Sequence, residues 1–180
     1  MVDYSQFLDG LAGNLSRKGF SITRSALPGR YPVEIMAVKG ELSALKGNRA
    51  HYIVVTIMDL PSAESVTEFS QAAWAYSLAN SRVYLPDFPT ALSRGVYKVV
   101  VPVVVSQTFT DEMRDWISKK NPAKHTAPFN ALVLMSSSSR EIYFCKKIPF
   151  ISSLAWRGVR RFVEETLDLS REAPSAPGLF

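Results

Sequence analysis

The sequence predicts an α/β (α+β) domain: a mixed sheet of about five strands with four packed helices, in the order α-β-β-α-β-α-β-β-α. Three observations carry this. Segments with apolar residues at three- and four-residue spacing alternate with short β-branched runs. The run Tyr52 to Met58 is apolar on both faces, as strands inside a covered sheet are, and Val96 to Val105 is rich in valine. Gly, Pro, Ser and Asn punctuate the joints between elements.

In chain order, Phe7, Leu8, Leu11 and Leu15 place one apolar stripe on a helix from Ser5 to Lys18, with Asp3 or Ser5 to cap it and Gly19 to end it. A turn around Pro28-Gly29 leads to a strand from Val33 to Val38. A polar loop then leads to the strand from Tyr52 to Met58. Leu60-Pro61-Ser62 opens a helix that runs to Asn80, with Ser65 and Glu68 at capping-box spacing. Arg82 to Gly95, holding Pro86 and Pro89 among aromatics, reads as a long ordered loop and a candidate rim of a site. The valine-rich strand Val96 to Val105 contains Pro102, which lacks a ladder donor; an edge position or a bulge there is expected.

Thr108 or Thr110 starts a short helix carrying Phe109, Met113, Trp116 and Ile117, closed by Lys119, Lys120 and Pro122. Phe129 to Met135 and Glu141 to Lys147 read as a hairpin turned by Ser136 to Arg140. Ser152 or Ser153 caps a last helix reaching Leu169. The order contains an αββα block on each side of the Val96 strand, a possible pseudo-repeat, although no residue motif aligns between the two blocks. Residues 1–169 are expected to form one domain, and 170–180, with Pro174, Pro177 and Gly178, a fraying tail.

Composition narrows the classes of function. At 47% hydrophobic and 21% charged residues, the chain has enough apolar surface for a core and too little charge for general disorder. Cys145 is the only cysteine, so an intramolecular disulfide and a cysteine metal cage are excluded. The longest apolar run, Val99 to Val105, is far below the roughly 20 residues of a membrane span, so no transmembrane segment is expected. The first residues lack a basic region followed by an apolar one, which points to a cytoplasmic protein. A net charge of +5 admits anionic partners, but the basic residues are spread along the chain.

Motifs for chemistry are sparse. His51 and His125 are the two histidines, and neither sits in a nucleophile motif. The serines at 136 to 139 suit a hairpin turn. No zinc spacing, G-x-G-x-x-G or Walker sequence occurs, so no metal and no cofactor is expected. Asp59, at the end of a central strand, with Glu64 and Glu68 in the next helix, is the alternative catalytic set for magnesium, although acidic residues also favour a first helical turn. No Glu-x-Lys lies in a strand to complete a nuclease pattern.

Lys146, Lys147, Arg157, Arg160 and Arg161, near Trp156 and Tyr143, are the candidate binding residues, because cations among rings hold phosphates and stack on bases. The competing reading is a salt-bridged helix face, since Arg160 and Glu164, and Arg161 and Glu165, are four apart. Phe150 and Trp156 would form an interface patch only if both were exposed.

The expectation is a non-catalytic binding or protein-interaction domain that self-associates as a homo-oligomer or meets a protein partner. The alternatives are a metal-dependent hydrolase or nuclease, and a basic module for nucleic acid or another polyanion.

Overall fold

The computed structural model describes residues 3–26, 31–42, 48–81, 85, 96–119, 129–146 and 153–167. The expected tail, most of the Arg82 to Gly95 loop, His125, Lys147 and Phe150 lie outside the described residues. Four helices are present among those described: α1 (Ser5–Arg17), α2 (Ala63–Ala79), α3 (Asp111–Lys119) and α4 (Ser153–Leu167). The strands are β1 (Ser21–Ala26), β2 (Val33–Glu41), β3 (Asn48–Ile57), β4 (Val96–Ser106), β5 (Phe129–Asn130), β6 (Val133–Ser136) and β7 (Ile142–Phe144).

All seven strands belong to one sheet, ordered β1-β2-β3-β4-β6-β7, with β5 also on β4. The pairs β1/β2, β2/β3 and β6/β7 are antiparallel, whereas β4 is parallel to β3, β5 and β6. The α/β class holds, with about seven strands in place of the expected five. One addition is β1, which sequence patterning misses because Ser21-Ile22-Thr23-Arg24 offers a single large apolar side chain. The other is the division of the expected Phe129 to Met135 strand into β5 and β6.

Pro102 accounts for that division. The Ala131 N–H donates to the Val100 carbonyl at 2.9 Å. Since successive residues of a strand present their backbone groups to alternate sides, Val100 and Pro102 face β5 and β6, while Val101 and Val103 face β3. Proline has no N–H to offer on its side, and the pairing breaks there: Val99 and Val100 pair with β5, Val103 to Ser106 pair with β6, and Ala131 and Leu132 lie outside both strands. The β3 side is undisturbed, with continuous register from Asn48↔Val96 to Ile57↔Val105. β4 is therefore central and unbulged against β3, contrary to the expectation of an edge or a bulge.

Burial on both faces explains the valine run. Val101, Val103 and Val105 pack with Ile35, Ile53 and Val55 beneath α1 and α4. Val100 and Val104 pack with Met36, Tyr52 and Phe69 beneath α2 and α3. These five valines have no exposed surface, and burial of each contributes roughly 1.5–3 kcal/mol.

Caps and ties follow local chemistry. Asp3 accepts the Ser5 N–H at 2.8 Å at the start of α1, and Gly19, at φ +82°, ends the helix with a conformation that suits glycine. Ser62, paired reciprocally with Ser65, caps α2, so the capping box lies three residues earlier than Ser65 and Glu68 predict. Thr110 Oγ1 accepts the Met113 N–H at 3.2 Å and opens α3. Ser136 and Ser138 donate to the Gln107 carbonyl at 2.8 and 2.7 Å, which ties the β6–β7 hairpin to the end of β4. Among the described residues, no helix is long and apolar enough to cross a membrane.

A Pro102→Val substitution restores the missing donor. Residue 102 is then expected to exchange its amide hydrogen slowly, with Ala131 and Leu132 drawn into a continuous strand; a fast-exchanging amide at residue 102 would contradict this account.

Candidate functional site

Alternation along β3 decides which side chains meet α4. Ile53 and Val55 face the α1/α4 layer, so Arg49 and His51, at even spacing from them, face it too. Register brings Lys39 and Glu41 of β2 opposite His51 and Arg49, and Tyr97 and Val99 of β4 beside the same two residues. From above, Gly158, Arg161, Phe162 and Glu165 of α4 recur at helical spacing. All of these residues except Lys39, Ile53 and Val55 line a groove of about 610 Å³ over the amino ends of β3 and β4, within the roughly 300–1,000 Å³ of small-molecule sites.

His51 forms part of the wall and is only 5% exposed. Its ring centroid lies 4.1 Å from that of Phe162, tilted by 52°, and Phe162 in turn meets Phe20 at 6.3 Å. The His51 Nδ1 has no hydrogen-bond partner among the described residues. Burial, assisted by the Arg49 and Lys39 charges and opposed by Glu41, pushes the imidazole down to about 4. For Glu41, burial favours the neutral acid, but the Lys39 hydrogen bond and the neighbouring positive charges outweigh it and hold the carboxyl below its ordinary value.

Charges at the rim are balanced. Lys39 pairs with Glu41 at 3.1 Å and Arg161 with Glu165 at 2.6 Å. Arg49 and Arg161 therefore share the groove with Glu41 and Glu165, two charges of each sign. Its buried surface comes from His51, Val99, Phe129 and Val159, and Tyr97 adds a ring 45% exposed.

The residues singled out by sequence are dispersed. Asp59 accepts the Tyr4 hydroxyl at 3.1 Å, and its carbonyl accepts from Ser106 at 3.4 Å, which ties α1 to the carboxyl ends of β3 and β4. Glu64 and Glu68 line a different, wide groove between α2 and α3, none of whose lining residues is buried. Glu68 accepts the Tyr31 hydroxyl at 2.6 Å. Among the described residues, no group of three or more His, Cys, Asp or Glu is placed to hold a metal ion.

Trp156 is a core residue, 9% exposed and edge-on to Phe129 at 5.3 Å. Of the basic candidates, Arg161 reaches the His51 groove. Arg160 pairs with Glu164 at 3.0 Å and lines a separate cavity. Arg157 is exposed, and Lys146, 6.0 Å from the Phe144 ring, borders a hollow against α3. Arg160 and Arg161 thus make the four-residue pairs anticipated above, and Arg160, Arg161 and Lys146 line three different hollows. Sequence reading had noted His51 without placing it; its spacing from Ile53 and Val55 marks the face, but its neighbours follow from strand register.

No family model matches the chain, and no curated protein or solved structure is significantly similar to it.

Two measurements check this geometry. Unfolded histidine titrates near 6.5 and folded His51 at about 4, so the unfolded state binds the extra proton between them. Stability should be full above pH 6.5 and fall by up to about 3 kcal/mol as pH drops to 4. Denaturant melts of His51→Phe should lack this decline; an unchanged profile would assign it to other groups. Gly158 is exposed on α4, and an added Cβ meets nothing within 4 Å. Gly158→Ala should therefore stabilise the fold by about 0.5–1 kcal/mol in the same melts.

Proposed function

We propose that this chain is a non-catalytic protein-interaction domain that receives an apolar or aromatic side chain of a partner segment in the groove beside His51. The observation that carries the reading is the composition of the groove: buried Val99, Phe129 and Val159 and the half-exposed Tyr97 ring, within a rim bearing equal positive and negative charge. Interfaces place apolar and aromatic anchors at their centre and charges at their edge.

Charge balance favours a protein segment over a polyanion. The net charge of +5 belongs to the whole chain, whereas a phosphate backbone entering this groove would meet Glu41 and Glu165 as well as Arg49 and Arg161. A peptide can answer both signs. His51 supports binding over proton transfer, because a group titrating at about 4 is a weak base near neutrality. Self-association is one form of the same reading, in which a second copy supplies the anchoring segment.

The test is selection of displayed peptides on the immobilised protein, with Gly158→Trp as the control. Gly158 lines the groove and a Cβ there meets nothing within 4 Å, so the larger side chain is chosen to occupy groove space. Selected peptides should carry an aromatic or large aliphatic residue flanked by charges, bind the parent at least about tenfold more tightly than Gly158→Trp, and depend weakly on salt. Peptides indifferent to Gly158→Trp would sink the proposal, and a nucleic acid whose affinity falls steeply with salt would replace it. Light scattering of the parent and Gly158→Trp over a concentration series reads the self-associating form.

A further inference from the structure

A second hollow lies where the sheet is interrupted. Ser70 and Gln71 belong to α2, Trp156 and Arg160 to α4, and these helices cover opposite faces of the sheet, yet all four residues line one cavity of about 100 Å³. They can do so because Ala131 and Leu132, also in its lining, are the residues that leave the strand pairing opposite Val101 and Pro102. The cavity therefore lies at the break in strand pairing opposite Pro102 and is distinct from the groove beside His51.

Its chemistry selects the occupant. The body of the cavity is formed by Trp156, Val163 and Phe144. The buried amide of Asn130 is already engaged: its nitrogen donates to Ser70 Oγ at 3.1 Å, and its oxygen accepts from that hydroxyl at 3.3 Å. A water molecule inside needs two to four polar partners; Asn130 and Ser70 are turned toward each other, Thr67 donates to the Ala63 carbonyl, and most of the lining surface is apolar, so an apolar body is favoured. At about 100 Å³ the space is somewhat smaller than the roughly 150 Å³ apolar cavity that accepts benzene. Arg160 supplies the one cation of the lining. Glu164 takes its Nε–H at 3.0 Å, and the two Nη groups are the guanidinium's other donors.

We infer that this cavity is a binding site for a small carboxylate with a compact aromatic or branched aliphatic body, the body seated in the sheet interruption and the carboxylate held by Arg160. The site is independent of the protein-interaction reading, and either can fail alone.

Cys145 lines the same cavity and is the only cysteine of the chain, so its alkylation reports occupancy. The protein is treated with N-ethylmaleimide and followed by intact mass, with benzoate as the anionic probe and toluene as the neutral one. Benzoate should slow alkylation several-fold and saturate, with half-effect between about 0.1 and 10 mM, the affinity expected of so small a ligand. Arg160→Gln should raise the benzoate concentration required at least about tenfold while leaving the toluene effect unchanged. Ala131→Leu, which fills the cavity, should abolish protection by both probes; if that variant melts far below the parent, the Arg160→Gln comparison decides.

A rate unaffected by either probe overturns the site. Protection by toluene that benzoate does not match, or benzoate protection indifferent to Arg160→Gln, overturns the assignment of an anionic ligand.

Discussion

A single missing hydrogen-bond donor shapes this molecule. Pro102 stands buried in a central strand, where its fixed φ suits extended backbone, and the absent N–H falls on the side away from β3. The β3/β4 pairing thereby keeps ten consecutive register partners, while the next strand is divided into β5 and β6. A proline one residue earlier or later would face β3 and break the central pairing instead, because successive residues of a strand alternate sides.

Around that strand, the two faces of the sheet are filled differently. The α2/α3 face holds bulky Tyr52, Phe69 and Met36 without exposed surface. On the α1/α4 face the layer closes over Ile53 and Val55 but opens at Arg49 and His51, because Gly158 of α4 contributes no side chain above them. His51 is thus buried by Phe162 on one side and borders a groove on the other. Being neutral near pH 7, it is a polar wall with no net charge, compatible with an apolar anchor at modest desolvation cost.

Much of this architecture was legible in the sequence, for reasons that vary by element. Leu8, Leu11 and Leu15, and likewise Phe69 and Ala73, announce helices because one stripe is buried and the spacing is local. The valine-rich run announces a strand, but Pro102 argued for an edge or a bulge and hid its central place. β1 was hidden because an edge strand needs few apolar residues: Ser21 and Thr23 point to solvent, and β1 is held mainly by its backbone pairing to β2. The split between β5 and β6 was hidden because its cause lies some thirty residues away in another strand. The groove depends on Glu41, His51 and Phe162 meeting across two strands and a helix, a matter of register and helix placement that residue types alone do not encode. By contrast, the Arg160–Glu164 and Arg161–Glu165 pairs were readable, being one helical turn apart.

Those pairs also explain why the basic charge of the chain is a poor guide to its binding surfaces. An exposed arginine satisfied by a glutamate four residues on leaves little field beyond a Debye length of about 8 Å at physiological salt. The two hollows have one structural feature in common: both take part of their apolar lining from α4. Val159 lines the groove and the cavity alike, with Gly158 and Phe162 turned to one and Arg160 and Val163 to the other. The position of α4 therefore sets the width of both. Lys18, just beyond α1, helps to hold it by donating to the Glu165 and Thr166 carbonyls at 2.8 and 3.2 Å, where a cation satisfies last-turn carbonyls and complements the helix dipole. The helix is thus held at its carboxyl end by Lys18 and nearer its amino end by Trp156 on Phe129. Whatever widens one hollow by moving α4 must then alter the other, because Val159 cannot withdraw from one without moving relative to both.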